Sequence, residues 1–448
     1  MKKAYPRYSK TNIPWLRSFP DHWNDVKVKF LFRERVEKGF PDEPLLAATQ
    51  TQGVVPKDLY ENRTVTAQKD FHLLKLVEVG DFVISLRSFQ GGIEYAYFRG
   101  IISPAYTIMK PLPEVFRGYF RYLFKSKHFI DDLTTYVTGI REGQNIDYSS
   151  FRDSFQPLPP LPEQRQIAAF LDHKCALIDT FIQKKTRLIE LLKEQKQAII
   201  NKAVTKGIDP NVRLKPSGVE WLGDIPEGWE VKKLKYLCSV ISKGTTPSTE
   251  GKDFASSGIR FLKGENIFEG EINLQPEFFI DNETHEALKR SQLRENDILI
   301  VIAGATIGKI GIVTKEILPA NTNQAVCFLR LRDVKNLEYL HLLLQSDFIQ
   351  RLVRFEAVQA AQPNLAMGVL GNFCIPIAPY EVQIVIVKSI ASEIELTHST
   401  INKVQKELTL LQEYKTTLIA EAVTGKIDVR DWRPKAAELT DKTTVAYE

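Results

Sequence analysis

The chain has 448 residues, of which 43% are hydrophobic, a length and apolar content that suit two to four domains with real cores. Sixty Lys/Arg against 55 Asp/Glu leave a net charge of +5, a balance compatible with a nucleic-acid partner but shared by many proteins that bind none. The longest apolar stretches, such as "DILIVIAGATIGKIGIV", are interrupted by Gly, Lys and Asp well short of a membrane span. "MKKAYPRYSK" has no apolar run behind its lysines, and Cys175, Cys238, Cys327 and Cys374 are too scattered for a metal knuckle or a disulfide framework. The expectation is a cytoplasmic, reduced protein without a membrane partner.

In chain order, the first marked phrase is "WLRSFPDHW" at 15–23, followed by "WNDVKVKFLF". A globular segment follows, with short apolar runs such as "DFVISL" and "YTIMKPL" and a helical stretch "FRGYFRYLFKSKHFIDDLTTY". "LPPLPEQRQI" at 158–167 leads into a long polar segment that exits through "AVTKGID" at 203–209. The series then repeats. "WLGDIPEGW" (221–229) precedes "WEVKKLKYLC", and "NDILIVI" (296–302) matches "GDFVISL" (80–86), with Asp81 and Asp297 in register. "SDFIQRLVRF" (346–355) answers "SKHFIDDLTTY" (126–136), "IPIAPYEVQI" (375–384) answers "LPPLPEQRQI", and "AVTGKID" (422–428) closes the second copy. The offset grows from 206 to 219, so the second copy carries about a dozen extra residues. The expected parts are 1–157, globular; 158–206, a long helix; 207–229, a linker opening the second repeat; 230–374, globular; 375–426, a second long helix; and 427–448, a tail.

In the second polar segment Val387, Ile390, Ile394, Thr397, Ile401, Val404, Leu408, Leu411, Lys415, Leu418 and Ala422 alternate spacings of three and four, which is a heptad seam. The first offers Ile167, Leu171, Ile178, Phe181, Leu188, Leu192 and Ile199, with Lys174, Lys185 and Gln195 at intervening places. Neither contains an internal Pro or Gly past its lead-in, so each predicts a helix about 60 Å long from the rise per residue. A single apolar stripe needs another helix to cover it. Residues 163–206 carry nine Lys/Arg and five Asp/Glu, whereas residues 380–426 carry five and six, so the two segments attract. A globular segment must join the end of one to the start of the other, which favours antiparallel pairing. The fold class predicted is α+β: two globular domains separated by two long helices in an antiparallel coiled coil, with an internal pseudo-two-fold repeat.

Signs of catalysis are missing from the sequence. "GATIGK" (304–309) has three residues between its glycines, and Ile310 stands where a phosphate loop needs Ser or Thr for magnesium; it reads as a turn between strands. The only Pro-Pro lies in "LPPLP", without the following aromatic residue of an amino-methyltransferase. There is no H-E-x-x-H spacing and no G-x-G-x-x-G after a strand, and "PDEP" (41–44) reads as a loop. The globular segments are instead rich in loops of Arg, Lys, Asn, Gln, Ser and Thr, the side chains that contact phosphates and base edges. In the first segment the candidates are Arg87, Ser88, Gln90, Arg141, Gln144 and Asn145. In the second they are Lys243, Thr245, Thr246, Lys263, Asn266, Thr306, Lys309, Asn323, Gln324, Gln362 and Asn364.

Taken in order, the paired "WLRSFPDHW" and "WLGDIPEGW", the "LPPLPEQRQIAAFLD" lead-in, the "GTTPS", "GATIGK" and "QPNL" phrases and the "AVTKGID"/"AVTGKID" exits resemble the specificity subunits of type I restriction-modification enzymes. Departures are the Tyr380, Glu381 and Val382 that stand at the second lead-in and the lack of "GTTPS" and "GATIGK" in the first globular segment. The resemblance implies two target-recognition domains, each reading half of a split double-stranded DNA target, held apart by the coiled coil. It implies a non-catalytic subunit that binds no cofactor itself. Its implied partners are two methyltransferase subunits using S-adenosylmethionine and restriction–translocase subunits using ATP and Mg2+. Two other classes, a stand-alone methyltransferase or nuclease and a protein-only coiled-coil scaffold, are the alternatives. On this reading "WLGDIPEGW" marks the start of the second recognition unit, with Trp221 and Trp229 as apolar anchors.

Overall fold

β-branched and aromatic runs become the strands here and Gly-punctuated stretches become the turns between them. A computed structural model describes residues 3–59, 70–138, 145–268, 270–357 and 364–434. The chain divides into two compact units, residues 1–186 with 406–448 and residues 187–405.

The first unit holds a four-stranded antiparallel sheet of β1 (Phe32–Arg35), β2 (Phe82–Ile84), β3 (Glu94–Tyr95) and β4 (Thr107–Pro111), in the order β1-β4-β2-β3. The second holds β5 (Cys238–Lys243), β6 (Ile298–Val301), β7 (Ile310–Ile312) and β8 (Val326–Leu331), in the order β5-β8-β6-β7. The order and connections are the same, so the repeat seen in sequence is a repeat of topology. In both, the turn before the second strand is fixed by a buried aspartate. Asp81 accepts from Arg35 Nε at 2.8 Å and from the Glu78 N–H at 2.9 Å. Asp297 accepts from Arg330 Nε at 2.8 Å and from the Arg294 N–H at 2.8 Å. The arginine comes from β1 in one unit and β8 in the other. One sheet face is covered by a helix pair, Arg117–Leu123 with Lys127–Leu133 or Leu337–Gln345 with Asp347–Ala357, whose hinge serine (Ser126 or Ser346) donates to the Leu123 or Leu343 carbonyl. The extra residues of the second copy build a three-stranded sheet in which Ile259–Leu262 lies between Phe279–Ile280 and Ala320–Thr322, the last pairing being parallel.

The long segments form α1 (Leu161–Lys206) and α2 (Tyr380–Val423). Their pairing is antiparallel. In the first unit Asp179 meets Lys415 at 2.6 Å and Lys185 meets Glu407 at 2.7 Å; in the second Lys196 meets His398 at 2.8 Å. Every seam position read for the second helix is buried or half-buried. The first seam needs correcting at Phe181, Leu188 and Gln195, whereas Ile178, Lys185, Leu192 and Ile199 lie on it as read. Phe181 is 56% and Leu188 37% exposed, and the stripe instead runs through Ile178, Ile182, Lys185, Ile189, Leu192, Lys196, Ile199 and Ala203. This unbroken four-three alternation includes two lysines, whose alkyl stems cover the seam while their ammonium groups reach its edge. At Phe181 and Leu188, large apolar side chains one place away drew the sequence reading off the seam.

The register of the second lead-in also shifts. Gln164 and Gln383 are the structural equivalents, each buried and each donating from its side-chain amide to a backbone carbonyl five residues back. The offset there is 219, so Val382 stands opposite Glu163. Glu163 is a buried hub that accepts from Trp23 Nε1 at 3.0 Å and meets His22 Nε2 at 2.7 Å and the Tyr5 hydroxyl; the second unit has no carboxylate at that place.

The two tryptophan phrases close each unit over a helix end. Trp23 packs edge-on to Tyr119 at 6.5 Å, and the Tyr119 hydroxyl donates to the Val423 carbonyl at 2.9 Å, at the end of α2. Trp229 packs edge-on to Tyr339 at 6.4 Å, and the Tyr339 hydroxyl sits between the Pro376 carbonyl at 3.1 Å and the Val204 carbonyl at 3.4 Å, near the end of α1. Gly425 turns away at φ +72° directly against Pro20, where a Cβ would lie 2.3 Å from the proline ring. Trp229 is buried, but Trp221 is 41% exposed and only stacks on Phe348, so one of the two expected anchors is a surface residue.

The corrected seam gives a direct test. Ile182→Asp places a carboxylate in the seam and is expected to cost about 2–4 kcal/mol. Phe181→Asp, one residue away, is expected to leave urea unfolding unchanged within about 0.5 kcal/mol. Equal destabilisation by both would contradict the assigned seam.

Candidate nucleic-acid interface

In the second unit, β5 and β6 finish and β8 begins at one end, because Lys243 lies opposite Cys327 and Val301 opposite Val326. The parallel pair Leu262–Thr322 ends there too. The loops carried at that end are therefore residues 243–247, 263–266, 303–309 and 321–325. Their mutual contacts are close. The Thr245 N–H donates to the Thr322 carbonyl at 3.0 Å, and Thr246 Oγ1 donates to Gln324 Oε1. Thr306 Oγ1 donates to the Gly264 carbonyl at 3.3 Å, and Asn364 bridges by backbone to Ala303. Gly244 makes the approach possible: a Cβ there would sit 1.9 Å from the Thr322 oxygen.

This end therefore gathers Lys243, Thr245, Thr246, Lys263, Thr306, Lys309, Asn323, Gln324 and Asn364. Lys243, Gln324 and Asn364 are exposed. The Lys263 ammonium sits 3.3 Å from the Phe278 ring centroid and 4.6 Å from that of Phe254; Lys309 sits 4.6 Å from Phe268. Among the described residues neither lysine has a carboxylate partner, so aromatic faces, not ion pairs, hold these cations. Asn266 departs from the expectation. It is buried, its Oδ1 takes the Lys263 N–H at 2.9 Å, and its Nδ2 bonds the Asn273 and Pro276 carbonyls at 3.0 and 2.9 Å, so it shapes the loop from beneath. Gln362 lies outside the described residues.

In the first unit Arg87, Ser88 and Gln90 follow β2 as "GATIGK" follows β6, and the loop closes on Gly92 (φ +83°) as the other closes on Gly308 (φ +86°). Arg87 and Gln90 are exposed. Ser88 is buried and accepts the Ser85 N–H at 2.8 Å, which makes it a turn former and not a surface contact. Asn145 lies on a separate two-stranded ladder with Val137–Thr138, its side chain accepting from the Ile146 N–H at 2.9 Å. Arg141 and Gln144 lie outside the described residues.

The sequence reading missed the partners of the 87–92 loop. Lys125 donates to the Gln50 carbonyl at 3.2 Å, the Gly91 carbonyl at 2.8 Å and Glu94 Oε1 at 2.6 Å, tying the hairpin tip at Gln50 to the loop. Glu94 is buried, its Oε2 has no hydrogen-bond partner, and burial pushes its pKa up to about 7 against the pull of Lys125. The glycine match at offset 216, Gly92 to Gly308, was the one signal in the sequence that could have placed this loop.

Burial pushes the thiols up, Cys175 to about 11 and Cys238 and Cys327 to about 12, away from the thiolate that a nucleophile needs. Among the described residues no group of three His, Cys, Asp or Glu could hold a metal ion, and no helix is long and apolar enough to cross a membrane.

Residues 226–410 match the family described as Type I restriction modification DNA specificity domain. The specificity subunit of the type I restriction enzyme MjaVIII of Methanocaldococcus jannaschii is 29% identical over 317 residues, covering 70% of this chain and 71% of the relative. That of EcoBI of Escherichia coli is 26% identical over 329 residues, covering 70% and 68%. A solved chain from work on complex assembly and conformational transition of the type I R-M system has a TM-score of 0.67 at 16% identity, covering 91% of this chain and 99% of that one, which shows the shared fold. Residues 226–410 thus match a type I restriction-modification DNA specificity domain, and the chain as a whole is similar to type I restriction enzyme specificity subunits.

Two measurements check the interface. Gly244→Ala forces the Thr322 backbone away and is expected to cost about 1–3 kcal/mol, with amide-exchange protection lost at 243–247 and 320–326; unchanged protection would refute the close approach. The second concerns Glu94, whose folded pKa of about 7 lies above its unfolded value. The native state then binds the extra proton, so this contribution is fully present below the unfolded pKa and is lost as pH rises through 7. Asp132, pushed up to about 6 by burial, adds in the same sense. Glu94→Gln is expected to flatten the decline in stability between pH 5 and 7.5; an unaltered profile would contradict it.

Proposed function

We propose that this chain reads a bipartite double-stranded DNA target, each unit recognising one half-site, on behalf of a type I restriction-modification complex. The observation that carries the reading is the duplication of one loop-bearing end: the same sheet, in the same order, presents a Gly-closed loop after its second strand in both units. In the first unit the readers are Arg87, Gln90 and the neighbouring Gln50. In the second they are drawn from Lys243, Thr245, Thr246, Lys263, Thr306, Lys309, Asn323, Gln324 and Asn364. Lysines and arginines supply salt-dependent affinity against phosphates; the amides and hydroxyls supply discrimination at base edges. The recognition domains extend over 1–157 and 230–374, with 158–206 and 375–426 as spacers.

The chain itself is non-catalytic. It recruits two methyltransferase subunits, which use S-adenosylmethionine to methylate adenine, and restriction–translocase subunits, which use ATP and Mg2+. On this reading the chain works in the cytoplasm, where its DNA and partner subunits are. The length of α1 and α2 sets the number of unread base pairs, since half-sites about 34–36 Å apart face the same side of a duplex.

Inserting one heptad into α1 after Glu190 and one into α2 after Ile401, with the methyltransferase partner present, is expected to lengthen the preferred gap by about three base pairs, from the helix rise and the spacing of B-DNA. Both half-site sequences should stay the same in binding selections. A changed half-site with an unchanged gap would sink the spacer role.

A further inference from the structure

We infer that the second unit carries a phosphate-binding cleft between the edge strand β5 and the segment Leu288–Arg294, separate from the loop end described above. The cleft is open and about 400 Å3 in volume. Its lining includes four cationic side chains, Lys289, Arg290, Arg294 and Arg330, together with Ser242 and Gln292, and no carboxylate.

The cations differ in what they have left to give. Arg330 is fixed from behind, its Nε and Nη2 on the Asp297 carboxylate at 2.8 and 2.7 Å. Asp297 also takes the Arg294 N–H at 2.8 Å, so its charge is committed to positioning the arginine. Lys289 reaches Glu286 at 3.5 Å, an exposed pair that solvent screens. Arg290 and Arg294 are exposed and have no carboxylate partner among the described residues. Two unpaired guanidinium forks beside a fixed third present a planar, multidentate donor set of the kind that recognises a tetrahedral oxyanion.

Ser242 supplies an independent observation. The residue is 93% buried, it lines the cleft, and its hydroxyl has no hydrogen-bond partner among the described residues. A buried hydroxyl left unpaired costs free energy that the fold could avoid with alanine. A phosphate oxygen brought to the cleft by the arginines would give it a partner after rotation about χ1.

Resting on the DNA reading above, the occupant is a backbone phosphate of the duplex. Ser242 lies one residue before Lys243, where the loop end begins, so a duplex lying on those loops would run its backbone alongside the cleft. The contact fixes register and carries no base information.

The test uses the full chain with Arg290→Ala/Arg294→Ala and, separately, Ser242→Ala, in variants whose melting is unchanged. A 30-base-pair duplex is titrated over a salt series, and inorganic phosphate is titrated alone. The double variant is expected to lose about tenfold in duplex affinity and to lower the salt slope by about two, with base preference intact. Ser242→Ala is expected to weaken binding severalfold without changing the slope. Inorganic phosphate that saturates wild type and not the double variant, with duplex binding untouched, would support the cleft with free phosphate as its occupant. Neither ligand responding to the double variant would overturn the cleft. Wild type that shows no bipartite preference while the slope still falls would defeat the DNA-specificity reading and leave the cleft standing.

Discussion

The constraint on which the rest depends is the closure of each unit over the end of a long helix. A buried tryptophan braces a tyrosine, and the tyrosine hydroxyl holds the last carbonyls of that helix. Trp23 and Tyr119 hold α2, whereas Trp229 and Tyr339 hold α1. Each unit is thereby built on the start of one helix and the end of the other. Ile167, Leu171, Leu418 and Ala422 belong to one core with Phe19 and Phe120, while Ala203, Val204, Ile386 and Ile390 belong to another with Leu234 and Leu340. The helices are integral to both folding units, and the antiparallel arrangement follows from the exchange.

Above that base, the units separate rigidity from contact. Buried polar groups such as Asp81, Asp297, Ser88 and Asn266 are bonded to backbone or guanidinium groups and set the shapes of turns. The residues left exposed at the loop ends are carried by those turns. A reader built this way can change its exposed amides and cations without disturbing the strands that present them. The two units use the freedom differently. One ties a hairpin tip to its loop through Lys125; the other inserts a small sheet and holds two lysines over aromatic faces.

Much of this was legible in the sequence because duplication and heptads are periodic signals. The repeat, the two helices and their direction came from "WLRSFPDHW"/"WLGDIPEGW" and from runs of alternating three and four. What failed was local. Phe181 and Leu188 drew two seam places one residue off because large apolar side chains dominate a pattern, whereas Lys185, read at the seam, and Lys196 occupy it by their stems. The second lead-in was misaligned by two residues because proline spacing was followed where the buried glutamines Gln164 and Gln383 mark the true equivalence. At the sites, composition identified loops but not depth, so Ser88 and Asn266 were grouped with exposed neighbours. Lys125 and Gln50 were invisible because only tertiary folding brings them to Gly91.

The most direct measurement of the central claim is single-molecule methylome sequencing of the host with and without this gene. The account predicts loss of one adenine-methylation motif consisting of two short defined half-sites around a gap of fixed length. Loss of a continuous motif, or an unchanged methylome in a host whose methyltransferase subunit is active, would contradict a chain that reads DNA twice.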